Sequence, residues 1–91
     1  MKQAHIFVSG FVQGVGFRQF VKHNARKHNA CGWVKNLPDQ RVEAVFQGTK
    51  EIIEQMILVC KKGPFLSVVD DVEIVWEEKR EEYKDFTIIS A

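Results

Sequence analysis

The stretch AHIFVSGFVQGVGFRQFVKHNARKHNA at residues 4–30 decides the fold. Its first part is rich in β-branched and aromatic side chains, which predicts a strand over residues 4–12. The spacing of the apolar residues then becomes helical, and one face would collect Phe17, Phe20, Val21, Asn24, Ala25 and His28. We therefore predict a helix from Phe17 to about Ala30, joined to the strand by the glycine loop QGVG at 13–16.

A β-hairpin is predicted next along the chain. Its two strands are CGWVKN at 31–36 and RVEAVFQG at 41–48, where apolar and polar side chains alternate except at Val45. Pro38 and Asp39 between the strands are typical turn residues. The alternation predicts that one face of this hairpin is solvated.

The remaining segments complete a two-layer fold. Apolar residues at helical spacing predict a second helix over 50–62, and Gly63 stops it. Two further strands are predicted over 68–76 and 86–89. The order is therefore βαββαβ with a fifth strand. This order predicts an α+β sandwich in which two helices cover one face of an antiparallel sheet. Residues 1–91 are expected to form a single domain, because a second core would need roughly another hundred residues.

Composition restricts the possible functions. Hydrophobic residues make up 45% and charged residues 27% of the chain, which argues against a disordered tail and against a membrane protein. The net charge is only +1, yet residues 1–50 carry eight Lys and Arg against two acids. A nucleic-acid-binding domain would be basic overall, so this local excess favours a small anionic ligand. We expect neither a nucleic-acid nor a membrane partner.

The titratable residues outside the glycine loop give no metal or covalent site. Cys31 and Cys60 lack the spacing of metal ligands. The two cysteines could form one disulfide, but two reduced thiols are favoured because small oxidised domains usually carry several disulfides. His23 and His28 would lie on different faces of the first helix. No signal peptide is visible at the N-terminus. We expect a cytoplasmic protein without metal or cofactor.

The glycine loop carries the main chemical signal. Gly14 and Gly16 lie between a strand and a helix, where backbone N–H groups and the helix dipole together bind anions. Taken alone, the two glycines are better explained by a tight strand-to-helix turn than by an anion site. Arg18 favours the anion site, because a guanidinium at a helix N-terminus opposes the dipole unless it grips a bound anion.

Two segments resemble a known family. GFVQGVGFR at 10–18 and GWVKN at 32–36, followed by Val42 and Gly48, are similar to the two signature segments of the acylphosphatases. The predicted element order agrees with the ferredoxin-like fold of that family. The resemblance implies an enzyme, a hydrolase acting on phosphorus-containing acid anhydrides, whose substrates are small acyl phosphates and which releases inorganic phosphate.

The resemblance also implies which residues form the site. The loop would cradle the phosphate with Gln13, Gly14, Val15, Gly16 and Phe17. Arg18 would bind the phosphoryl group, and Asn36 would position the attacking water. An acyl phosphate expels a carboxylate, which leaves without protonation, so positioning and charge stabilisation should suffice without a metal.

Two other functions are compatible with this element order. An RNA-recognition domain needs exposed aromatic residues on its third strand, where RVEAVFQG offers mainly polar ones. A carbamoyl-phosphate-handling module, like the acylphosphatase-like part of hydrogenase-maturation proteins, would use the same cradle without being a general hydrolase. No partner domain is visible in the chain, which favours the free enzyme, and a two-layer domain of this size is expected to be a monomer.

Gln40 departs from the second family segment, which has Gly at this point of the turn. Pro38 suits the second position of a type I turn, so a three-residue hairpin loop would require a left-handed backbone at residue 40. We expect the departure to affect local stability more than activity.

Overall fold

The computed structural model describes residues 2–79 and 81–90. The elements are β1 (Lys2–Phe11), α1 (Phe17–Lys27), β2 (Cys31–Asn36), β3 (Val42–Gly48), α2 (Lys50–Lys62), β4 (Val68–Glu78) and β5 (Phe86–Ile88). The predicted βαββαβ order with a fifth strand is confirmed. Within the described ranges, no helix is long and apolar enough to cross a membrane.

The five strands form one sheet in the order β4-β1-β3-β2-β5. The first four are antiparallel neighbours, whereas β5 pairs parallel with β2, so the sheet is mixed rather than wholly antiparallel. The parallel pairing arises because the segment between β4 and β5 crosses one end of the sheet. It therefore enters β5 from the end at which β2 also begins.

Both helices pack on the same face of the sheet, as predicted. The core contains Ile6 and Val8 of β1, Val21 and Ala25 of α1, Phe46 of β3, and Ile53, Met56 and Cys60 of α2. Phe86 anchors the short strand β5, since it is fully buried and its ring stacks on that of Phe46 at 5.5 Å. Burial of one such aromatic side chain stabilises the fold by roughly 1.5–3 kcal/mol.

The second half of β3 differs from the expectation of a solvated face. Val45 and Gln47 are only 3% and 2% exposed. The segment between β4 and β5 covers Gln47, whose side chain donates to the carbonyl of Glu81 at 2.6 Å and accepts from the N–H of Tyr83 at 3.0 Å. The alternation in sequence could not reveal this cover, because it comes from residues more than thirty positions away.

Helix α1 ends earlier than the apolar pattern predicts. Asn29 has φ +61°, and the N–H of Ala30 donates to the carbonyl of Ala25 at 2.8 Å. The N–H of Asn29 itself donates to the Arg26 carbonyl at 3.3 Å. These two bonds form a Schellman motif with a left-handed Asn, which ends the helix and turns the chain into β2.

The turn between β2 and β3 confirms the left-handed backbone predicted at Gln40, whose φ is +76°. The Leu37 N–H donates to the Arg41 carbonyl at 2.8 Å and closes the turn. Asp39 accepts from the backbone N–H of Arg41 at 3.1 Å and from its guanidinium at 2.8 Å. The backbone N–H, and then the guanidinium, lower the pKa of Asp39.

Replacing Gln40 by Gly should stabilise the protein. A left-handed non-glycine residue costs about 1–2 kcal/mol, while Gly loosens the unfolded chain by about 0.4–1 kcal/mol. Thermal melts of Gln40→Gly should therefore show a Tm higher by a few degrees, at roughly 4–8 °C per kcal/mol for a domain of this size. The matched control is Asn29→Gly, which should raise the Tm less because Asn tolerates a left-handed backbone better than Gln. An unchanged or lower Tm for Gln40→Gly would contradict the strain at this turn.

Candidate active site

A cavity of about 310 Å³ lies where β1 and β2 end and where α1 begins. Its lining includes five of the residues singled out in the sequence: Gly14, Gly16, Phe17, Arg18 and Asn36. Two members of the proposed cradle take other positions. The Gln13 side chain bonds to the β2–β3 turn, and Val15 packs against the core.

The backbone conformation of the loop explains why residues 14 and 16 are glycines. Gly14 and Gly16 have φ values of +75° and +78°, and an added Cβ would meet no atom within 4 Å at either position. Backbone conformation, not crowding, therefore requires glycine here. Alternation of left-handed and ordinary residues turns successive N–H groups to one side, which is the geometry of an anion-binding nest.

The N-terminus of α1 is open to a ligand. Its N-cap, Gly16, has no capping side chain, and no acidic residue lies in the first turn. The first intrahelical bond runs from Phe20 N–H to the Gly16 carbonyl at 3.0 Å, so the preceding N–H groups lack an intrahelical acceptor. In α2, by contrast, the Thr49 hydroxyl caps the N–H of Ile52 at 3.2 Å. The positive end of α1 is therefore the one that remains available to an anion.

Arg18 provides the charge at this cavity. Its half-buried side chain is the only charged group among the described lining residues, and it makes no hydrogen bond or ion pair within residues 2–79 and 81–90. A guanidinium in the first turn opposes the helix dipole. The arrangement is favourable when an anion lies between them, because a guanidinium binds phosphate oxygens with two parallel hydrogen bonds.

Asn36 is the last residue of β2 and lies on the same cavity. Its Oδ1 is buried and has no hydrogen-bond partner in the described part of the chain. Buried polar atoms are nearly always bonded, and leaving one unpaired costs about 1–3 kcal/mol. An unpaired amide oxygen on a residue that lines a cavity is suited to accept a hydrogen bond from a small ligand or a water molecule.

Sequence reasoning missed four residues that line the cavity: Val12, Gln19, Ile88 and Ser90. Ile88 and Ser90 lie at the end of β5 and just after it. Ile88 pairs with Val34 of β2, and the N–H of Ile89 donates to the Val34 carbonyl at 2.9 Å. Val12 and Gln19 directly flank the loop and the helix start, so their proximity to the signature segment was an available signal. No local signal marks Ser90.

A larger cavity of about 440 Å³ lies at the opposite end of the sheet, near Cys31, Gly48 and Thr49. The helix that begins beside this cavity is α2, whose N-terminus Thr49 caps, so it offers an anion fewer free N–H groups than the start of α1. Both cysteines are free, and neither lines the smaller cavity. Burial raises the pKa of the Cys60 thiol to about 12, which removes it as a nucleophile near neutral pH. The described residues contain no group of three His, Cys, Asp or Glu placed to hold a metal ion.

Comparisons with known proteins agree on one family. The acylphosphatase family model matches residues 4–88. The acylphosphatase of Chloroflexus aurantiacus is 46% identical over 87 residues, covering 96% of this chain and 95% of that protein. The crystal structure of acylphosphatase from Bacillus subtilis has a TM-score of 0.94 at 38% identity, covering 98% of this chain and 99% of the other. HypF of T. kodakarensis matches with a TM-score of 0.88 at 41% identity, but this chain covers only 12% of it.

The two cavities predict different responses to inorganic phosphate. In ¹⁵N–¹H spectra, phosphate should shift the backbone amide signals of residues 14–18, because these N–H groups surround the proposed anion site. The signals of Gly48 and Thr49 at the capped end serve as the internal control and should stay in place. Shifts of similar size at both ends would contradict an anion site at the start of α1.

Proposed function

This chain belongs to the acylphosphatase family, a group of hydrolases acting on acid anhydrides, and we propose how it hydrolyses small acyl phosphates. Arg18 and the 13–17 loop bind the phosphoryl group, and a water held by Asn36 attacks the phosphorus in line with the carboxyl oxygen. The observation that carries the proposal is that one cavity is lined by the two loop glycines, Gly14 and Gly16, together with Phe17, Arg18 and Asn36. The products are a carboxylate and inorganic phosphate.

Charge stabilisation is the first part of the mechanism. In the transition state, negative charge spreads over the three equatorial phosphoryl oxygens. The N–H groups of Gly16 and Phe17 at the uncapped start of α1 and the guanidinium of Arg18 meet this charge. They are held by a helix and a tight loop, so little reorganisation is needed as the charge develops.

Positioning of water is the second part. The free Oδ1 of Asn36 accepts a hydrogen bond from the water and directs its lone pair at the phosphorus. As the water oxygen bonds to phosphorus, the bond from phosphorus to the carboxyl oxygen breaks and its electron pair leaves with the carboxylate. The proton released by the water passes to a phosphoryl oxygen. A carboxylate needs no general acid to leave at neutral pH.

The loop residues have unequal parts in this proposal. Gly14 and Gly16 supply the left-handed backbone, and Phe17 and Arg18 supply the first helical N–H groups. Gln13 contributes no side chain to the phosphate, because its amide nitrogen bonds to two carbonyls of the β2–β3 turn.

Two rival functions fit less well. On the open face of the sheet, the strand register sets Phe7 between Glu43 and Glu73, and these carboxylates would repel an RNA backbone. A module that handles carbamoyl phosphate stays the second candidate from the sequence, and the chain is also similar to part of HypF. It is distinguished by substrate range, since a general acylphosphatase also cleaves aryl acyl phosphates. That residues 1–91 act as one monomeric, cytoplasmic domain stays a prediction.

Phosphate release from an aryl acyl phosphate tests the function and the role of Arg18 together. The protein should catalyse release, and Arg18→Lys should lower kcat/KM by at least about 10²-fold, because the ammonium lacks the planar fork. Arg26→Lys, two turns further along α1, is the matched control and should keep nearly full activity. A wild-type protein that cleaves only carbamoyl phosphate would favour the module, and an active Arg18→Lys would contradict the assigned role.

Asn36→Ala should separate turnover from binding. Losing the amide oxygen should lower kcat by about 10²-fold or more, because the water is no longer oriented. Inorganic phosphate should still inhibit with nearly the wild-type constant, since the loop and Arg18 are intact. A variant that keeps kcat and loses phosphate affinity would instead assign Asn36 to binding.

Chelators and pH test the chemistry of the proposed groups. The proposed mechanism uses no general acid or base, and neither Arg18 nor Asn36 is a usual metal ligand. Activity should therefore survive EDTA and vary weakly between about pH 5 and 8. Activity that EDTA abolishes and Mg²⁺ or Zn²⁺ restores would overturn the metal-independent mechanism.

A further inference from the structure

We infer that Gln13 is a positioning residue that fixes Asn36 relative to the phosphate loop, an inference that rests on the proposed function. Its Nε2 donates to the carbonyl of Leu37 at 2.8 Å and to the carbonyl of Arg41 at 2.9 Å. Both acceptors are carbonyl oxygens, so the amide must present its nitrogen to them. One side chain therefore uses both of its N–H donors on the two ends of a single turn.

The two segments joined by this amide carry the two halves of the site. Gln13 directly precedes Gly14 of the loop, and Leu37 directly follows Asn36. Gln13 and Leu37 are 24 residues apart in sequence, and the strand ladders that pair Val42 with Val8 and with Asn36 stop short of both. The Gln13 amide is a direct link between the loop that binds phosphate and the residue that holds the water.

The other contacts of the turn do not attach it to the loop. Pro38, Asp39 and Gln40 are all exposed, and Gln40 has a left-handed backbone. The bonds within the turn join Leu37 to Arg41, Gln40 to Leu37 and Asp39 to Arg41. The Arg41 guanidinium lies over the Phe7 ring at 5.0 Å, which is a contact with β1 and not with the loop. The Gln13 amide attaches it from the loop side.

The effect on catalysis follows from the distances that an in-line attack tolerates. A displacement of about 1 Å away from the chemistry can lower turnover by roughly 10²-fold. Without the Gln13 donors, the carbonyls of Leu37 and Arg41 keep only their bonds within the turn, from the N–H groups of Gln40 and Leu37, and the segment after Asn36 loses its link to the loop. The loop glycines and Arg18 remain in place, so phosphate binding is affected less than turnover.

The test uses Gln13→Met, which keeps the length of the side chain and removes both donors. Its matched control is Gln3→Met near the other end of β1, where the glutamine bonds to Glu77 and Gln47. We expect Gln13→Met to lower kcat at least about tenfold with a change of less than about threefold in the inhibition constant of phosphate. Gln3→Met should leave both constants nearly unchanged, and circular dichroism should show that both variants are folded.

A double-mutant cycle tests whether Gln13 acts through Asn36. Adding Gln13→Met to Asn36→Ala should lower kcat by no more than about twofold further, because the group to be positioned is already gone. Fully additive losses would overturn the inference, as would a Gln13→Met variant with wild-type kcat. A merely structural role would lower Tm in both methionine variants without separating their kcat values.

A readout independent of turnover separates this inference from the proposed function. The ¹⁵N–¹H signals of the Asn36 side-chain amide should move in Gln13→Met and stay in place in Gln3→Met. Unmoved Asn36 signals in Gln13→Met would overturn the positioning role. A wild-type protein that releases no phosphate, with the Asn36 signals moving as expected, would contradict only the proposed function.

Discussion

The antiparallel pairing of β3 with both β1 and β2 is the constraint on which the site depends. Val42 of β3 lies opposite Val8 of β1 on one side and opposite Asn36 of β2 on the other. Because β1 and β2 then run in the same direction, both end at one edge of the sheet. The glycine loop that follows β1 and the amide that ends β2 meet there for this reason.

The two ends of the molecule differ in electrostatics. At one end, the uncapped start of α1 and the guanidinium of Arg18, which has no partner within residues 2–79 and 81–90, add two positive features that a bound anion would stabilise. At the other end, the Thr49 hydroxyl caps the start of α2. The Oδ1 of Asn36, buried and without a partner in the same described ranges, adds an unsatisfied polar atom to the first end. Such unfavourable features concentrate where a ligand offsets them, so their concentration supports the proposed site at the first end.

Many features of the fold could be predicted from local sequence. The features that could not be predicted all depend on contacts between segments far apart in the chain. Helix α2 begins and ends where predicted, because Gly63 stops it locally, and the backbone of Gln40 follows from Pro38 two positions earlier. The parallel pairing of β5, the cover over Gln47 and the contacts of Gln13 all join segments far apart in the chain. The sequence predicts Gln13 as part of the phosphate cradle because the signature segment includes it. Only the three-dimensional register shows that its amide turns to the neighbouring turn instead.

The most direct test of attack by an Asn36-held water at phosphorus is hydrolysis of an aryl acyl phosphate in H₂¹⁸O. Mass spectrometry of both products reports which bond the water forms. The account predicts one solvent ¹⁸O atom in each inorganic phosphate and none in the carboxylate, because the carboxyl oxygen leaves with its own group. Solvent label in the carboxylate and none in the phosphate would show attack at the carbonyl carbon, and would contradict the assignment of the loop, Arg18 and Asn36 to phosphoryl transfer.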